Sequence, residues 1–299
     1  MSEKILARRK PRIAIAGASG RVGATLTHSL ARDPVDVVAL TRRPDQAQFP
    51  PGVAMAAVDF TLTQTLDDAL AGADRLFVAH GTSPQQVANE IALIDRAVAA
   101  GIGHVVKLSA MGPATHLNPL AWHMQIEAHL ARQPIASTVL RPSAFADILR
   151  RSAGQIADGA WAGAAGEGRV NFIDTRDVAE VARRALLETV SPGSQRAFHL
   201  TGPRAWTLPQ VAEELSRLLG RPVIYGHRSA EAVRSELIVA GTSPFVADLL
   251  AGLDQMFHDS VLGETTSTVV ALTGQAPRSL TDWLTENLGL FRKTEAISA

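Results

Sequence analysis

An α/β fold, a doubly wound parallel sheet followed by a smaller α/β lobe, is what the sequence predicts, and three observations carry it. Six short apolar, β-branched runs alternate with helical stretches across the first half of the 299 residues. The first of these runs passes directly into a glycine turn, "IAIAGASGRVGATL" from Ile13 to Leu26. After Ala144 the alternation loosens into glycine- and alanine-rich segments with shorter elements. Strand–helix–strand repetition implies right-handed crossovers and a parallel sheet with helices on both faces.

In chain order, strands are expected at "RIAIA" (12–16), "VDVVALT" (35–41), "VAMAAVDF" (53–60), "RLFVAH" (75–80), "HVVKLSA" (104–110) and "ASTVLRP" (136–142). They have the composition of strands buried on both faces. Among the helices, "QQVANEIALIDRAVAAG" is the clearest. Val87, Ile91, Ile94 and Val98 recur at helical spacing, and Gly101 stands where a C-cap belongs. The reading divides the chain into a first domain over 1–150 and a smaller lobe over 151–299, some of whose segments return to the first. In that lobe "GQIADGAWAGAAGEGRVNFID" reads as a loop and then a short strand. "TRDVAEVARRALLE" is a helix with Val178, Val181 and Leu186 on one side, and "AFHLTG" is a strand. "TLPQVAEELSRLLG" opens with a capping box from Thr207 to Gln210, with Pro209 in its first turn, and "SLTDWLTENL" opens similarly from Ser279 to Asp282. The tail "RKTEAISA" is expected to fray.

Composition excludes several function classes. Lys plus Arg and Asp plus Glu number 29 each, so the formal net charge is zero and no basic face for nucleic acid is expected. The short run Arg8-Arg9-Lys10 reads as a solvated leader. The absence of cysteine removes disulfides, thiolate nucleophiles, iron–sulfur clusters and cysteine zinc sites. The nine histidines form no H-x-H or H-E-x-x-H pattern, and no G-x-S-x-G elbow occurs, so neither a metal centre nor a hydrolase nucleophile is expected. No apolar run approaches a membrane span and no signal-peptide pattern opens the chain, so the expected location is cytoplasmic.

The glycine turn carries the chemistry. Gly17, Gly20 and Gly23 follow the first strand at G-x-x-G-x-x-G spacing. The first permits a tight turn, the second lets the backbone approach a pyrophosphate, and the third lets helix and strand pack closely. The helix N-terminus, around Arg21 and Val22, then offers N–H groups to the phosphate, and Ser19 and Arg21 can add side-chain donors. A βαβ series is the context that gives this pattern meaning, and it defines a Rossmann-type domain.

The second strand ends in "ALTRRPD", where an NAD-binding chain usually places an acid. Thr41, Arg42 and Arg43 stand there instead, and a guanidinium pair suits a 2′-phosphate, so NADPH is expected over NADH. The alternative for Arg43 is a plain surface residue. Asp45 lies too far along to be the usual ribose acceptor. Asp59 and Phe60 close the third strand, placed to accept from the adenine amino group and to flank its ring, or else to cap a helix and fill core. Ala79, His80 and Gly81 follow the fourth strand and are expected under the ribose, because ligands lie outside the carboxyl ends of such strands.

The ordered set "GASGRVG", "ALTRRP", "VDF", "VVKLSAMG", "HMQIEAHL", "TVLRPSAF" and "IDTRDVA" resembles the NmrA-like, atypical short-chain dehydrogenase/reductases over about Ile13 to Leu187, and more weakly beyond. The resemblance implies a substrate lobe beside the nucleotide domain. It also implies either NADPH-dependent reduction of quinones, azo dyes or triarylmethane dyes, or dinucleotide sensing without turnover. Typical short-chain dehydrogenases use Tyr-x-x-x-Lys. Here the single tyrosine is Tyr225, with Ser229 four residues on, so that mechanism is unavailable in its usual form. In quinone- and dye-reducing relatives a His and a Glu look placed like His123 and Glu127, which share a helix face at i, i+4. The resemblance gives His123 a place in the pocket or a proton to donate, with Glu127 orienting it; the alternative is a pair that merely stabilises its helix. Ser109 resembles the Ser or Thr beside the nicotinamide, or else a capping Ser. Pro142, Ser143 and Phe145, closing the sixth strand, are expected at the nicotinamide end. Trp122, Trp161 and Phe172 either line the cleft or belong to the core. Asp174, Arg176 and Asp177 look like family hallmarks whose simplest role is helix capping and an internal ion pair.

Two functions follow from this reading. One is an NADPH-dependent oxidoreductase passing hydride to a small electrophilic aromatic. The other is a dinucleotide-sensing regulator acting through a protein partner. A compact chain without a long interaction tail favours the first. Monomer and homodimer both remain open.

Overall fold

The computed structural model describes residues 9–112 and 120–293. Arg8 of the basic run and residues 294–299 of the expected frayed tail lie outside the described residues. The chain forms β1 (Arg12–Ala16), α1 (Arg21–Leu30), β2 (Asp36–Thr41), β3 (Ala54–Ala57), α2 (Thr63–Leu70), β4 (Arg75–Val78), α3 (Gln86–Ala99), β5 (His104–Leu108), α4 (Leu120–Leu130) and β6 (Ala136–Pro142). It continues through β7 (Ala144–Phe145), α5 (Ala153–Asp158), β8 (Ala160–Gly163), β9 (Arg169–Ile173), α6 (Thr175–Leu187), β10 (Gln195–Leu200) and β11 (Ala205–Thr207). The last elements are α7 (Leu208–Leu219), β12 (Ile224–His227), α8 (Ala230–Val239), α9 (Pro244–His258), α10 (Thr268–Thr273) and α11 (Leu280–Glu286).

These elements cluster into two compact units. The first holds residues 1–109, 125–140 and 179–197, and the second holds 110–124, 141–178 and 198–299. The chain therefore returns to the first unit over 179–197, and it also enters the second unit before residue 150, over 110–124 and from 141; the second unit is as long as the first. Stretches 110–124 and 141–150 go with the second unit because Met111, Leu120, Ala146 and Leu149 join its apolar core.

The first unit is built on a seven-stranded sheet of order β10-β6-β5-β4-β1-β2-β3. The pairs from β3 across to β6 are parallel. This order reverses direction between β1 and β4, as expected of a doubly wound sheet. All six expected strands form. β3 is the shortest relative to expectation because it lies at the sheet edge, where Met55 is largely solvent-exposed.

α3 shows where a simple apolar stripe fails. Of the expected Val87, Ile91, Ile94 and Val98, only Ile94 is fully buried, and the inward face is Gln86, Glu90, Leu93, Ile94 and Ala97. Lys107 of β5 is the reason. Its side chain is fully buried, and its ammonium lies 2.8 Å from Oε2 of an equally buried Glu90. An ammonium placed in the core needs a carboxylate beside it, which turns the helix face toward Glu90. Gln86 completes the group, donating from Nε2 to Glu90 Oε1 at 3.1 Å.

The second unit contains a three-stranded sheet, β11-β9-β7, and a parallel pair, β12-β8. Its core is rich in aromatics, among them Trp161, Phe172, Trp206, Phe257, Trp283 and Phe291. The stretch expected as a loop contains α5 and β8, because Ile156 and Trp161 bury their side chains there despite the surrounding glycines. Both expected capping boxes form, at Thr207 and Gln210 and at Ser279 and Asp282. Arg9 is not simply solvated: its guanidinium holds both carboxylate oxygens of Asp74 at 2.9 and 2.6 Å.

Candidate functional site

The cradle is assembled at the reversal of strand order, where β1 and β4 are neighbours. Gly17 follows β1 with φ of +80°, a left-handed backbone in which a side chain is strained. A Cβ on it would also lie 2.6 Å from the Ala79 carbonyl oxygen beyond β4. The Gly20 N–H donates to Gly17 O at 2.9 Å and so closes the turn. A Cβ on Gly23 would meet that same Gly17 oxygen at 2.1 Å, so the helix can approach the strand only with glycine there. Gly20 is the N-cap of α1 and supplies no side-chain cap, which leaves first-turn N–H groups open to an anion.

A cleft of about 240 Å³ opens at this point, and eight of the expected cofactor residues line it: Gly17, Ser19, Gly20, Arg42, Phe60, Ala79, His80 and Gly81. Five further lining residues were not singled out as contacts: Ala16, Leu40, Thr41, Val58 and Leu93. Leu40 and Val58 are apolar strand residues without a marker of their own, and Leu93 arrives from the middle of α3. His80 is held in place. Its Nε2 lies 2.9 Å from Asn89 Nδ2 and its Nδ1 lies 2.6 Å from Gly81 O. Its ring meets Phe60 edge-on at 5.8 Å.

The other expected cofactor residues are placed as follows. Arg21, Val22 and Gly23 form the first turn of α1, with the Val22 side chain buried in the core. Arg43 is exposed and does not line the cleft; its backbone N–H donates to Thr41 Oγ1 at 3.1 Å. Asp59 also lies outside the lining. Its Oδ1 accepts from both the backbone and the hydroxyl of Thr61, at 2.8 and 2.7 Å. The Thr61 hydroxyl, followed by its backbone N–H, holds this exposed carboxyl below its usual range. That arrangement closes the turn before α2, whose N-cap is Leu62 rather than Asp59, whereas Phe60 lines the cleft.

At the end of β5 the buried Ser109 donates its hydroxyl to Oε1 of Glu127 on α4, joining two of the three expected catalytic residues. His123 lies one turn earlier on the same helix. Lys107, two residues before Ser109, donates from Nζ to the Leu108 carbonyl as well as pairing with Glu90.

Within the second unit, Pro142 ends β6 and Ser143 is buried, its N–H donating to Leu200 O at 2.9 Å. Ser143 Oγ has no hydrogen-bond partner among the described residues. Phe145 is half-buried and pairs in register with Ile173. Trp161 and Phe172 are core, whereas Trp122 is half-buried and lies against Phe245. The Tyr225 hydroxyl accepts from Ala165 N at 3.1 Å, and its ring packs edge-on against Trp161. Burial pushes that hydroxyl up to about 12. Asp174 accepts from the backbone of Arg176 at 2.8 Å and pairs with its guanidinium at 2.6 Å, so it caps and ion-pairs, while Asp177, inside the first turn of α6, pairs with Arg278. Among the described residues no group of His, Asp or Glu is arranged to hold a metal, and no helix is long and apolar enough to cross a membrane.

Strand order, the glycine turn at the reversal point and the cleft define a dinucleotide-binding protein of Rossmann type. A family model described as NAD(P)H-binding matches residues 17–189. The chain is 30% identical over 285 residues to the NAD(P)H azoreductase of Xenophilus azovorans, covering 93% of this chain and 99% of that one. It is 29% identical over 277 residues to quinone oxidoreductase 2 of Escherichia coli K12, covering 90% and 96%. The crystal structure of the Escherichia coli NADPH-dependent quinone oxidoreductase in complex with NADPH superposes with a TM-score of 0.85 at 28% identity, over 92% of this chain and 99% of that one. Citrobacter triphenylmethane reductase shares the fold, with a TM-score of 0.79 at 23% identity over 92% of this chain and 99% of that one. The chain belongs to the NAD(P)H-binding family, among its NmrA-like atypical short-chain dehydrogenase/reductases.

Proposed function

We propose that this protein is an NADPH-dependent oxidoreductase that passes hydride directly to a small electrophilic aromatic acceptor such as a quinone or an azo dye. The observation that carries the reading is the cleft itself. Its floor is a glycine turn with no room for a Cβ at Gly17 or Gly23, and its rim holds Arg42 where an NAD-binding chain would hold an acid. Three relatives at 29–30% identity are named as an azoreductase, a quinone oxidoreductase and a methyl phosphate reductase, and no observation favours a sensing role.

These residues fit the dinucleotide. Gly17, Ser19, Gly20 and the open first turn of α1 would hold the pyrophosphate, and Arg42 the 2′-phosphate through charge-assisted hydrogen bonds. Phe60, Leu40 and Val58 would give an apolar wall for the adenine, and His80, fixed by Asn89, would contact the ribose. Ser143 Oγ, buried without a hydrogen-bond partner among the described residues, could take a polar group of the ligand. When bound, the cofactor supplies the hydride. The protein orients it, excludes water and provides for the proton that follows. Tyr225 is the single tyrosine, with Ser229 where a lysine would follow, so the reading uses no tyrosine acid. His123 or solvent supplies the proton to the reduced acceptor, and Ser109 and Glu127 set the polar end of the pocket.

The test is NADPH consumption by the purified protein against quinones, azo dyes and triarylmethane dyes, with NADH in parallel. Acceptor-dependent turnover that favours NADPH is the expected result. Tight NADPH binding without turnover on any acceptor would overturn the enzyme reading.

A further inference from the structure

No carboxylate lines the cleft of the first unit. Its lining is glycine, alanine and apolar side chains together with Ser19, Thr41, Arg42 and His80. Where β2 ends, Leu40, Thr41 and Arg42 follow one another along this lining. Thr41 is only 6% exposed, a position where a valine would fill the same space without a polar atom to satisfy. Its carbonyl accepts from Val58 N at 2.9 Å, and its Oγ1 accepts from Arg43 N at 3.1 Å. The second bond closes a local side-chain-to-backbone turn across Arg42. Arg42 lines the cleft on one side of that turn, and Arg43 stays outside it. Accepting from Arg43 leaves the Thr41 hydroxyl proton to be placed, and it has no acceptor among the described residues. A turn explains the acceptor. It does not explain a buried donor without a partner, which is costly to keep. The Arg42 guanidinium next to it is likewise in no ion pair or hydrogen bond among the described residues.

We propose that the Thr41 hydroxyl donates to the 2′-phosphate of the cofactor, so that Thr41 and Arg42 together form the donor site for that group. The assignment of Thr41 rests on the NADPH reading above and deepens it. Arg42 offers only donors, and Thr41 has its one proton to give. A phosphate dianion takes both, because it presents acceptor oxygens alone, and bonds to it are charge-assisted. The 2′-hydroxyl of NADH brings a proton of its own and is usually met by a carboxylate, which this cleft lacks. Asp59 is held by Thr61, and Asp45 does not line the cleft, so neither supplies one. The hydrogen bond that Thr41 accepts from Arg43 also polarises its hydroxyl and makes it a better donor.

The experiment titrates adenosine 2′,5′-bisphosphate and 5′-AMP into the full chain by calorimetry. The two ligands differ only in the 2′-phosphate, and neither requires turnover. Wild type is expected to bind the bisphosphate more tightly. Thr41→Val keeps the shape of the side chain and removes the hydroxyl. It should weaken the bisphosphate about 10- to 50-fold, the loss of one hydrogen bond to a charged group, and leave 5′-AMP within about twofold. Thr41→Ser keeps the hydroxyl and should hold the bisphosphate within about threefold of wild type. In an Arg42→Ala background, Thr41→Val should still cost bisphosphate affinity, because the hydroxyl acts on the phosphate itself and not only through the turn that presents Arg42. With the wild-type preference intact, four results would each overturn the Thr41 site and leave the NADPH reading standing: equal loss of both ligands in Thr41→Val, loss of neither, no rescue by Thr41→Ser, or no further loss in the Arg42→Ala background. A wild-type protein that binds the two ligands equally would overturn the site and the NADPH reading together.

Discussion

Lys107→Met is expected to be among the most destabilising single changes in the first unit, and adding Glu90→Leu is expected to reverse the loss. Both side chains of the pair are 0% exposed, with Nζ 2.8 Å from Oε2. Removing the ammonium leaves a carboxylate in the core whose Oε1 keeps the hydrogen bond from Gln86 but whose Oε2 loses its counter-charge. Breaking a buried pair in this way costs about 3–5 kcal/mol. At about 2–4 °C per kcal/mol for domains of this general size, Tm should fall by roughly 6–20 °C. Replacing both partners by apolar residues removes the uncompensated charge, and such swaps are neutral or stabilising by about 1–4 kcal/mol. Thermal and urea unfolding of wild type, both singles and the double variant give the cycle directly. NADPH affinity gives a second reading, because α3 also carries Leu93 of the cleft and Asn89, which holds His80. A double variant as unstable as Lys107→Met, or a single variant within about 1 kcal/mol of wild type, would refute the argument that a stranded charge is the cost.

Arg42→Ala should weaken NADPH binding about 10- to 100-fold, the loss of a hydrogen-bonded charge pair, while leaving NADH nearly unchanged; equal losses in calorimetry would remove Arg42 from the 2′-phosphate. Gly23→Ala puts a Cβ 2.1 Å from Gly17 O and should abolish binding of both nucleotides, so retained affinity would place the cradle elsewhere. Burial, followed by the charges of Arg75 and Arg196, pushes His104 down to about 4 from an ordinary 6.5. The unfolded chain therefore takes up a proton at this site before the folded one does, and stability should fall as pH drops from 6.5 toward about 4. His104→Gln should flatten that slope, and an identical pH profile would show that other groups set it. Tyr225→Phe should keep kcat within about twofold, because an ordinary structural hydrogen bond is all that is removed; a fall of orders of magnitude would return the tyrosine to the chemistry.

The sequence is most legible where the backbone itself needs a particular residue. Gly17 and Gly23 are fixed by approaches to Ala79 and to the turn that no Cβ survives, so their spacing, set after the first strand of a βαβ series, identifies the cradle. The two capping boxes are equally local, since each needs only residues three apart. What stayed hidden is brought together by topology. Leu93 enters the cleft from α3, and nothing in "ALIDR" marks it as different from its apolar neighbours. The face of α3 was misread for a related reason. Lys107, more than a dozen residues on, draws Glu90 and Gln86 inward, and a periodicity count treats both as solvent-facing. Asp59 and Phe60 show the limit on a smaller scale: adjacent residues part company because Thr61 claims the carboxylate.

The end of β5 gives the chemistry its direction. Ser109 has one hydroxyl proton, and Glu127 accepts it. While that bond holds, Ser109 can accept a hydrogen bond from a ligand but has no proton to give to a substrate oxygen. Tyr225, the single tyrosine, has its hydroxyl engaged with Ala165 N and is raised to about 12 by burial, which makes it a reluctant acid near neutral pH. An aliphatic ketone needs its oxygen protonated as hydride arrives, because the alkoxide it would otherwise become is a strong base. A quinone does not, since the negative charge that forms is spread over an aromatic ring and can wait for water or, as proposed above, for His123. The polar groups that the sequence supplies are therefore matched to acceptors that take hydride readily and the proton late.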